Sequence, residues 1–446
     1  MTDPKKYLNY LAIFVVILNF TNIYTMISGF TAISFKQLSA SMMAVLLLNS
    51  AVNIGVLGNI FSKKLMTYFF IFFVIIPALG VFISPHVLIR YFWYYILSGL
   101  IFINVCLFIK KEGSFIFKQL ILCCFGITIV GVVMSYYFPH IFASIGEMQA
   151  RAKGTFGIWD TVKVGSSSHA RAFGFYMQPN IAYTSILFQI IILATSFFNR
   201  SVTKRVMLYG VSFFCILLTG SRGGFLMFCL FIMIILFTEM KNGARNKRNR
   251  IISFPKILPY YLGLGVLLIS VVVAVNLFAK QSSKGEGINV IEKIYHTFFP
   301  GSGDASLLED QSVSERMSYQ VEYLNMLGKN PRTIITGYGT GSAAYYRYTG
   351  DLPNASHNNF LEKTFSHGIF ASLGMYLMFI FACRSKLSNR FKAQYGYNIS
   401  FIITICIFIQ SFTINTLFSY RLLPVLVGFW LMSLYYPNDS SQKRFS

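Results

Sequence analysis

Charge is scarce in this sequence. Only 12% of its 446 residues are Asp, Glu, Lys or Arg, whereas soluble domains carry about 25%. With 55% hydrophobic and 17% aromatic residues, lipid must be the main solvent of the chain. Between the apolar runs no stretch is large enough for a soluble domain of ordinary size.

Acidic residues are scarcer still, 15 against 38 Lys and Arg. No Asp-x-Asp occurs, which removes the paired acids by which many transferases hold a metal and a nucleotide-sugar. Asp304, Glu309 and Asp310 lie close in sequence, but a solvated acidic loop accounts for them. Neither a metal nor a cofactor is expected. The seven cysteines, Cys106, Cys123, Cys124, Cys215, Cys229, Cys383 and Cys406, form no zinc-type cluster with histidine. They fall within apolar runs or at their inner ends, which excludes disulfides from the outer loops.

What is abundant is long apolar sequence. Runs near the 20 residues needed to cross a bilayer recur along the chain. They predict an all-α polytopic membrane protein with about twelve spanning helices, at 7–27, 38–60, 65–84, 87–109, 115–138, 180–198, 206–219, 223–238, 258–279, 359–382, 398–417 and 421–436. The first follows Lys5 and Lys6 but lacks an Ala-x-Ala cleavage site, so it reads as a retained helix.

Parity then assigns sides. With the N-terminus inside, Lys63, Lys64, Lys110, Lys111, Lys118, Arg200, Lys204, Arg205, Lys241 to Arg250, Arg384, Lys386, Arg390 and Lys392 all fall on one side. The positive-inside rule makes that side cytoplasmic and places both termini there. The formal charge of +23 is thereby explained by topology, and no nucleic-acid partner is needed.

The chain divides into N-terminal membrane helices (1–138), a first extracytoplasmic loop (139–179), central helices with a basic cytoplasmic loop (180–279), a large extracytoplasmic loop (280–358), C-terminal helices (359–436) and a cytoplasmic tail (437–446). The second outer loop is too long to be a mere connector.

Within that loop, Ser312-Val-Ser-Glu315 has the form of a capping box, and Val313, Met317, Val321 and Leu324 follow at helical spacing. This predicts an amphipathic helix whose stripe rests on neighbouring helices or on the membrane interface, with Arg316 flanking a buried seam. Gly337-Tyr-Gly-Thr-Gly341 looks like a phosphate-binding loop but lacks the strand and helix that such a loop joins, so it reads as a flexible turn. Asn354-Ala-Ser-His-Asn-Asn-Phe-Leu-Glu362 leads directly into an apolar run. His357 therefore sits near a helix start at the outer surface, where the dipole favours the neutral ring that a general base requires. His367 reads as a packed or hydrogen-bonded residue, and Arg421 as a snorkelling one. Arg222, in a Gly-Ser-Arg-Gly-Gly turn, either touches an anionic ligand or anchors the turn.

Four stretches together resemble the bacterial O-antigen ligases and the O-antigen and capsular polysaccharide polymerases. They are Arg171-Ala-Phe-Gly-Phe-Tyr-Met-Gln-Pro-Asn180, Thr219-Gly-Ser-Arg-Gly-Gly224, Glu315-Arg316, and Gly337-x-Gly339-x-Gly341 followed by Ser356-His-Asn-Asn-Phe-Leu361. The resemblance implies a glycosyltransferase of the bacterial cytoplasmic membrane, acting on its outer face on undecaprenyl-diphosphate-linked oligosaccharides. It implies His357 as the catalytic residue and Arg171 and Arg316 as ligands of the diphosphate, which Arg222 joins on one of its two readings. Asn180, Asn358, Gly337, Gly339 and Gly341 become loop and positioning residues. Membrane lipids, a chain-length regulator and a flippase of the same pathway are the expected partners.

Physical chemistry suits those roles. Guanidinium groups hold phosphate bidentately and never lose their proton. A single displacement by an acceptor hydroxyl, its proton taken by His357, inverts the anomeric centre, whereas retention needs a carboxylate nucleophile; Glu315, Glu322, Asp351 and Glu362 stay open for that role. Polymerase is the preferred reading, ligase its alternative within the family, and a lipid-linked oligosaccharide flippase the alternative of another class. Transport is disfavoured because the runs carry almost no intramembrane acid.

Overall fold

The computed structural model describes residues 4–24, 35–84, 89–138, 179–199, 201–245, 311–352, 358–388, 398–411 and 421–436, with Ala172, Gly174 to Tyr176 and Ser356 between them. Among the described residues the chain is largely helical and carries no strand. Among the described residues, five helices are long and apolar enough to cross a membrane, or six if one bent pair counts as a single span. The expected run at 258–279, and the expected loop segments 139–171 and 280–310, lie outside the described residues.

The N-terminal helices largely follow the apolar runs. Helix α1 spans Pro4–Phe20 and stops at a turn where Asn22 takes φ 60°, short of the expected 27. The run at 38–60 is not one straight helix. It forms α2 (Phe35–Val52) and α3 (Ile54–Phe61), bent by 81°. The break falls at Asn53, whose side chain turns back to the Asn49 carbonyl at 2.7 Å and accepts from Lys111 Nζ at 2.5 Å. Hydropathy alone does not register such a break, because the flanking residues are equally apolar.

Helix α4 (Lys64–Ile83) contains a π turn at Ile71–Ile75. Helices α5 (Ile89–Glu112) and α6 (Ser114–Tyr137) follow. Helix α7 (Pro179–Ile192) continues as a second π turn, Leu193–Phe197. Helices α8 (Val202–Thr219) and α9 (Arg222–Arg245) come next.

Three helices build the region outside the bundle, the long α10 (Gln311–Gly328) and the short α11 (Pro331–Thr336) and α12 (Ser342–Thr349). The run at 359–382 splits into α13 (Asn359–His367) and α14 (Ile369–Arg384) at Gly368. Gly368 takes φ 80°, and a Cβ there would lie 1.8 Å from the Ile335 carbonyl oxygen. Only glycine permits that approach of α11. Helices α15 (Ile399–Ser411) and α16 (Leu422–Tyr435) complete the described fold.

Helix α16 is apolar all round and buried from Leu422 to Leu434, as expected for a helix enclosed by others. Trp430 stacks on Phe379 with ring centroids 5.6 Å apart, and Phe429 stacks on Phe117 at 5.7 Å. Gly428 lets α5 approach, since a Cβ there would meet Val105 Cγ1 at 2.9 Å.

The bundle has two chemically distinct ends. At one, Tyr10 donates to Glu112 at 2.9 Å, the Leu65 amide donates to Tyr435, and Lys110 lies 3.7 Å from the Tyr436 ring centroid. Lys63, Lys64, Lys110 and Lys111 share this end. The opposite end carries Ile83, Ile89, Asn22 and Arg421, and Asn180 and the loop glycines Gly337, Gly339 and Gly341 lie toward it.

Candidate functional site at the end opposite the lysines

The segment after Arg171 is anchored into that end. The Ala172 amide donates to the Leu218 carbonyl at 3.0 Å, and the Gly174 amide to Ser135 Oγ at 2.9 Å. Gly174 takes φ 56° against Val132. Gly131 leaves room for the Phe175 ring, which would lie 2.6 Å from a Cβ there. The Tyr176 hydroxyl is buried among Phe20, Thr128 and Ser185, and Gln189 donates to Thr128 and Ser185. The segment is thus a wedge between α1, α6, α7 and α8. Arg171 itself lies outside the described residues, but its neighbour is held at a defined place.

Asn180 and the Arg222 turn come together beside this wedge. Gly220 closes α8 in the left-handed conformation at φ 57°. Ser221 then serves the start of α9: its Oγ accepts from the Gly224 amide at 3.1 Å and donates to Asn180 Oδ1 at 3.4 Å. Gly224 packs on the Tyr183 ring, which a Cβ would meet at 2.7 Å. The two runs flanking Arg222 are therefore separate helices, and Arg222 is the first residue of the second.

Arg421 does not simply snorkel. Its Nη1 donates to Asn22 Oδ1, and its guanidinium lies 4.7 Å from the Tyr24 ring centroid. Asn22 Nδ2 also donates to the Phe175 carbonyl at 2.5 Å. Asn22 thus ties Arg421 to the wedge. Sequence reasoning passed over it, since an asparagine in an apolar run looks like any helix residue.

A second group is built from α10 to α13. Asn358 Oδ1 caps α13 by accepting from the Leu361 amide at 3.1 Å, and its own amide donates to Ser356 Oγ at 3.2 Å. His357 lies outside the described residues, between these two anchored positions. Arg347 Nη1 donates to Glu362 Oε1 at 3.1 Å and to the Tyr323 hydroxyl at 2.9 Å, joining α10, α12 and α13. Burial, with Glu362 nearby, pushes the Tyr323 hydroxyl pKa upward. Glu362, one of the carboxylates open as a nucleophile, is thus engaged in an ion pair.

The glycine loop is neither a phosphate cradle nor a loose turn. Gly337, Gly339 and Gly341 take φ of 70°, 90° and 90°. A Cβ on each would strike the Gly368 amide at 2.6 Å, the Ser84 amide at 2.4 Å and the Tyr91 ring at 2.7 Å. The Tyr338 amide donates to Phe365, and the Thr340 amide to Gly80. The loop is the joint that seats the outer helices on α4, α5 and α13. A glycine pattern reveals backbone freedom, but not whether a ligand or another backbone uses it.

Arg316 is exposed, two helical turns before Tyr323 on the same face of α10. Tyr323 and Leu327 on that face are buried, whereas Met317, Val321 and Leu324 of the predicted stripe are exposed. The buried seam therefore lies on the Tyr323 side, because the large aromatic clusters with Phe365 and Tyr338. Lys363, also missed, donates to the Tyr95 hydroxyl at 3.1 Å.

His367 is buried. Its pKa is lowered well below the ordinary value by burial and then by Lys363. All seven cysteines lie in helices and are free thiols. Among the described residues no group of three or more His, Cys, Asp or Glu is placed to hold a metal.

Residues 207–376 match the family model described as O-antigen ligase. The match covers less than half of the chain, and over that stretch the chain is similar to the O-antigen ligase and polymerase family. It begins in α8 and ends in α14, taking in Arg222, Arg316, the glycine loop and the His357 region, while Arg171 and Asn180 precede it. No curated protein matches the chain.

Proposed function

We propose that this integral membrane protein is a polysaccharide polymerase that joins repeat units carried on undecaprenyl diphosphate, at the outer face of the bacterial cytoplasmic membrane. The observation that carries the reading is the meeting of Asn180 and the Arg222 turn beside the wedge after Arg171, at the bundle end opposite the lysines of α4 and α5. By the positive-inside rule that end is extracytoplasmic.

Arg171, Arg316 and Arg222 hold the diphosphate of the donor. As the bond to the anomeric carbon breaks, charge builds on the departing diphosphate, and donors that bind it more tightly then than before lower the barrier. His357 takes the proton of the acceptor hydroxyl as its oxygen attacks the anomeric carbon. The displacement is single and inverts that centre. The pairing of Glu362 with Arg347 supports this, since it occupies one carboxylate that a retaining route would call on. No metal takes part.

A ligase, which passes a finished chain to a lipid-A core sugar, uses the same bond chemistry, and the description of the matching family favours it as the second reading. The test is to give the purified protein a lipid-diphosphate oligosaccharide in detergent. Longer lipid-linked chains with released lipid diphosphate establish polymerisation. Product only with a lipid-A core acceptor establishes the ligase. Absence of product with either acceptor, alongside movement of the donor across vesicles, overturns both in favour of transport. Full activity in all three of Arg171→Ala, Arg316→Ala and His357→Ala would sink the site assignment.

A further inference from the structure

Helix α10 presents two apolar faces. Tyr323 and Leu327 occupy one and are buried against Phe365. About a third of a turn away, Met317, Val321 and Leu324 stand 56%, 52% and 56% exposed, at the spacing of four and three residues that puts them on one face. The remaining arc carries Ser318, Glu322 and Asn325, all exposed. An outer helix in water alone has no reason to keep three large apolar side chains in a row.

The neighbouring elements say what covers them. Ile334 and Ile335 of α11, the helix next to α10, are also exposed. The Ile335 carbonyl lies against Gly368, where α14 begins. Helix α14 is an apolar helix with Phe370, Leu373, Leu377 and Phe381 exposed, a row at helical spacing that faces lipid in an integral membrane protein. Exposed apolar side chains thus pass from a membrane helix to α11 and on to α10. Arg316, Lys329 and Arg332 are exposed beside that path, where anionic headgroups attract basic side chains.

We propose that α10 lies in the membrane–water interface, with Met317, Val321 and Leu324 set among lipid acyl chains and its polar arc in water. The outer helices would then be held against the bilayer surface by the lipid itself as well as by the glycine joint.

The test uses the full chain in nanodiscs of phosphatidylcholine and phosphatidylglycerol. Val321→Cys and Glu322→Cys are each made in a cysteine-free background of unchanged thermal stability and labelled with an environment-sensitive fluorophore. At Val321 the emission should shift to the blue and be quenched by a lipid carrying a nitroxide near its headgroup, with little quenching by aqueous iodide. At Glu322 the preference should reverse. Iodide quenching at Val321 as strong as at Glu322 overturns the proposal. So does protection of Val321 from both quenchers, which would mean that protein covers the stripe.

Discussion

His367 Nδ1 lies 3.1 Å from Thr340 Oγ1, and that hydroxyl in turn donates to the Pro77 carbonyl at 2.6 Å. With its one proton committed to Pro77, Thr340 can only accept from the ring, so Nδ1 carries the imidazole proton. Two outer elements and a membrane helix are joined through this chain of bonds. Replacing Thr340 by Val keeps the shape but leaves the Pro77 carbonyl and the buried ring without their partner. The loss should be about 1 to 3 kcal/mol, read as a lower midpoint in thermal unfolding of the detergent-solubilised protein. An unchanged midpoint would show that the joint does not depend on the hydroxyl.

The same histidine sets a pH dependence. Its folded pKa is depressed below the ordinary 6.5 by burial and by Lys363, so between the two values the unfolded chain binds the extra proton. Stability is full above about pH 6.5 and falls as pH drops from there toward the folded pKa. His367→Asn removes the titration while keeping a polar side chain. Its thermal midpoint should vary less than the wild type's between pH 7 and pH 5, as checked by melting curves at matched ionic strength. Parallel curves for the two proteins would remove His367 as the source.

The glycine joint is the part of this arrangement whose use was hidden in the sequence. The apolar runs made the helices legible because a span needs length and hydrophobicity, and both are local. What they did not reveal were the breaks at Asn53 and Gly368, where a helix stops although its residues remain apolar. Gly337, Gly339 and Gly341 stood out as glycines, but their neighbours Ser84 and Tyr91 lie far away in sequence. The Arg222 turn was legible because Gly220 and Ser221 are local stop and start signals. Asn22 and Lys363 gave no signal at all, since each takes its role from partners brought by tertiary packing.

Gly339→Ala measures that joint directly. At φ 90°, with the Ser84 backbone 2.4 Å from the new methyl, the loop must shift as well as bear strain. The expected loss of stability is larger than for Thr340→Val, since strain and overpacking each contribute about 1 to 3 kcal/mol. Gly350→Ala is the control: it also has positive φ, 87°, but nothing lies within 4 Å of its Cβ. Its melting point should fall less.

The Arg347–Glu362 pair separates a structural carboxylate from a catalytic one. Side chains 29% and 17% exposed leave it only partly screened. Glu362→Gln should lower stability by about 1 kcal/mol and leave the transfer rate of the folded protein within a few fold of wild type. A loss of a hundredfold or more with an intact fold would make Glu362 a candidate nucleophile, and the anomeric configuration of the product would then be retained rather than inverted.

Asn22 offers the sharpest test of how Arg421 and the wedge after Arg171 act together. Its side chain donates to the Phe175 carbonyl and accepts from Arg421, and its φ of 60° suits asparagine better than most residues. Asn22→Gly keeps the backbone conformation and removes both bonds, so the change falls on the wedge rather than on the turn. If the wedge positions Arg171 on the diphosphate, the variant should lose about tenfold in kcat/KM, equivalent to about 1.4 kcal/mol of transition-state stabilisation. The loss should fall mainly on kcat, because binding to a developing charge matters most as the bond breaks. Asn22→Asp keeps an acceptor for Arg421 but has no amide for Phe175. Recovery of activity in that variant would assign the effect to Arg421, and continued loss would assign it to the wedge.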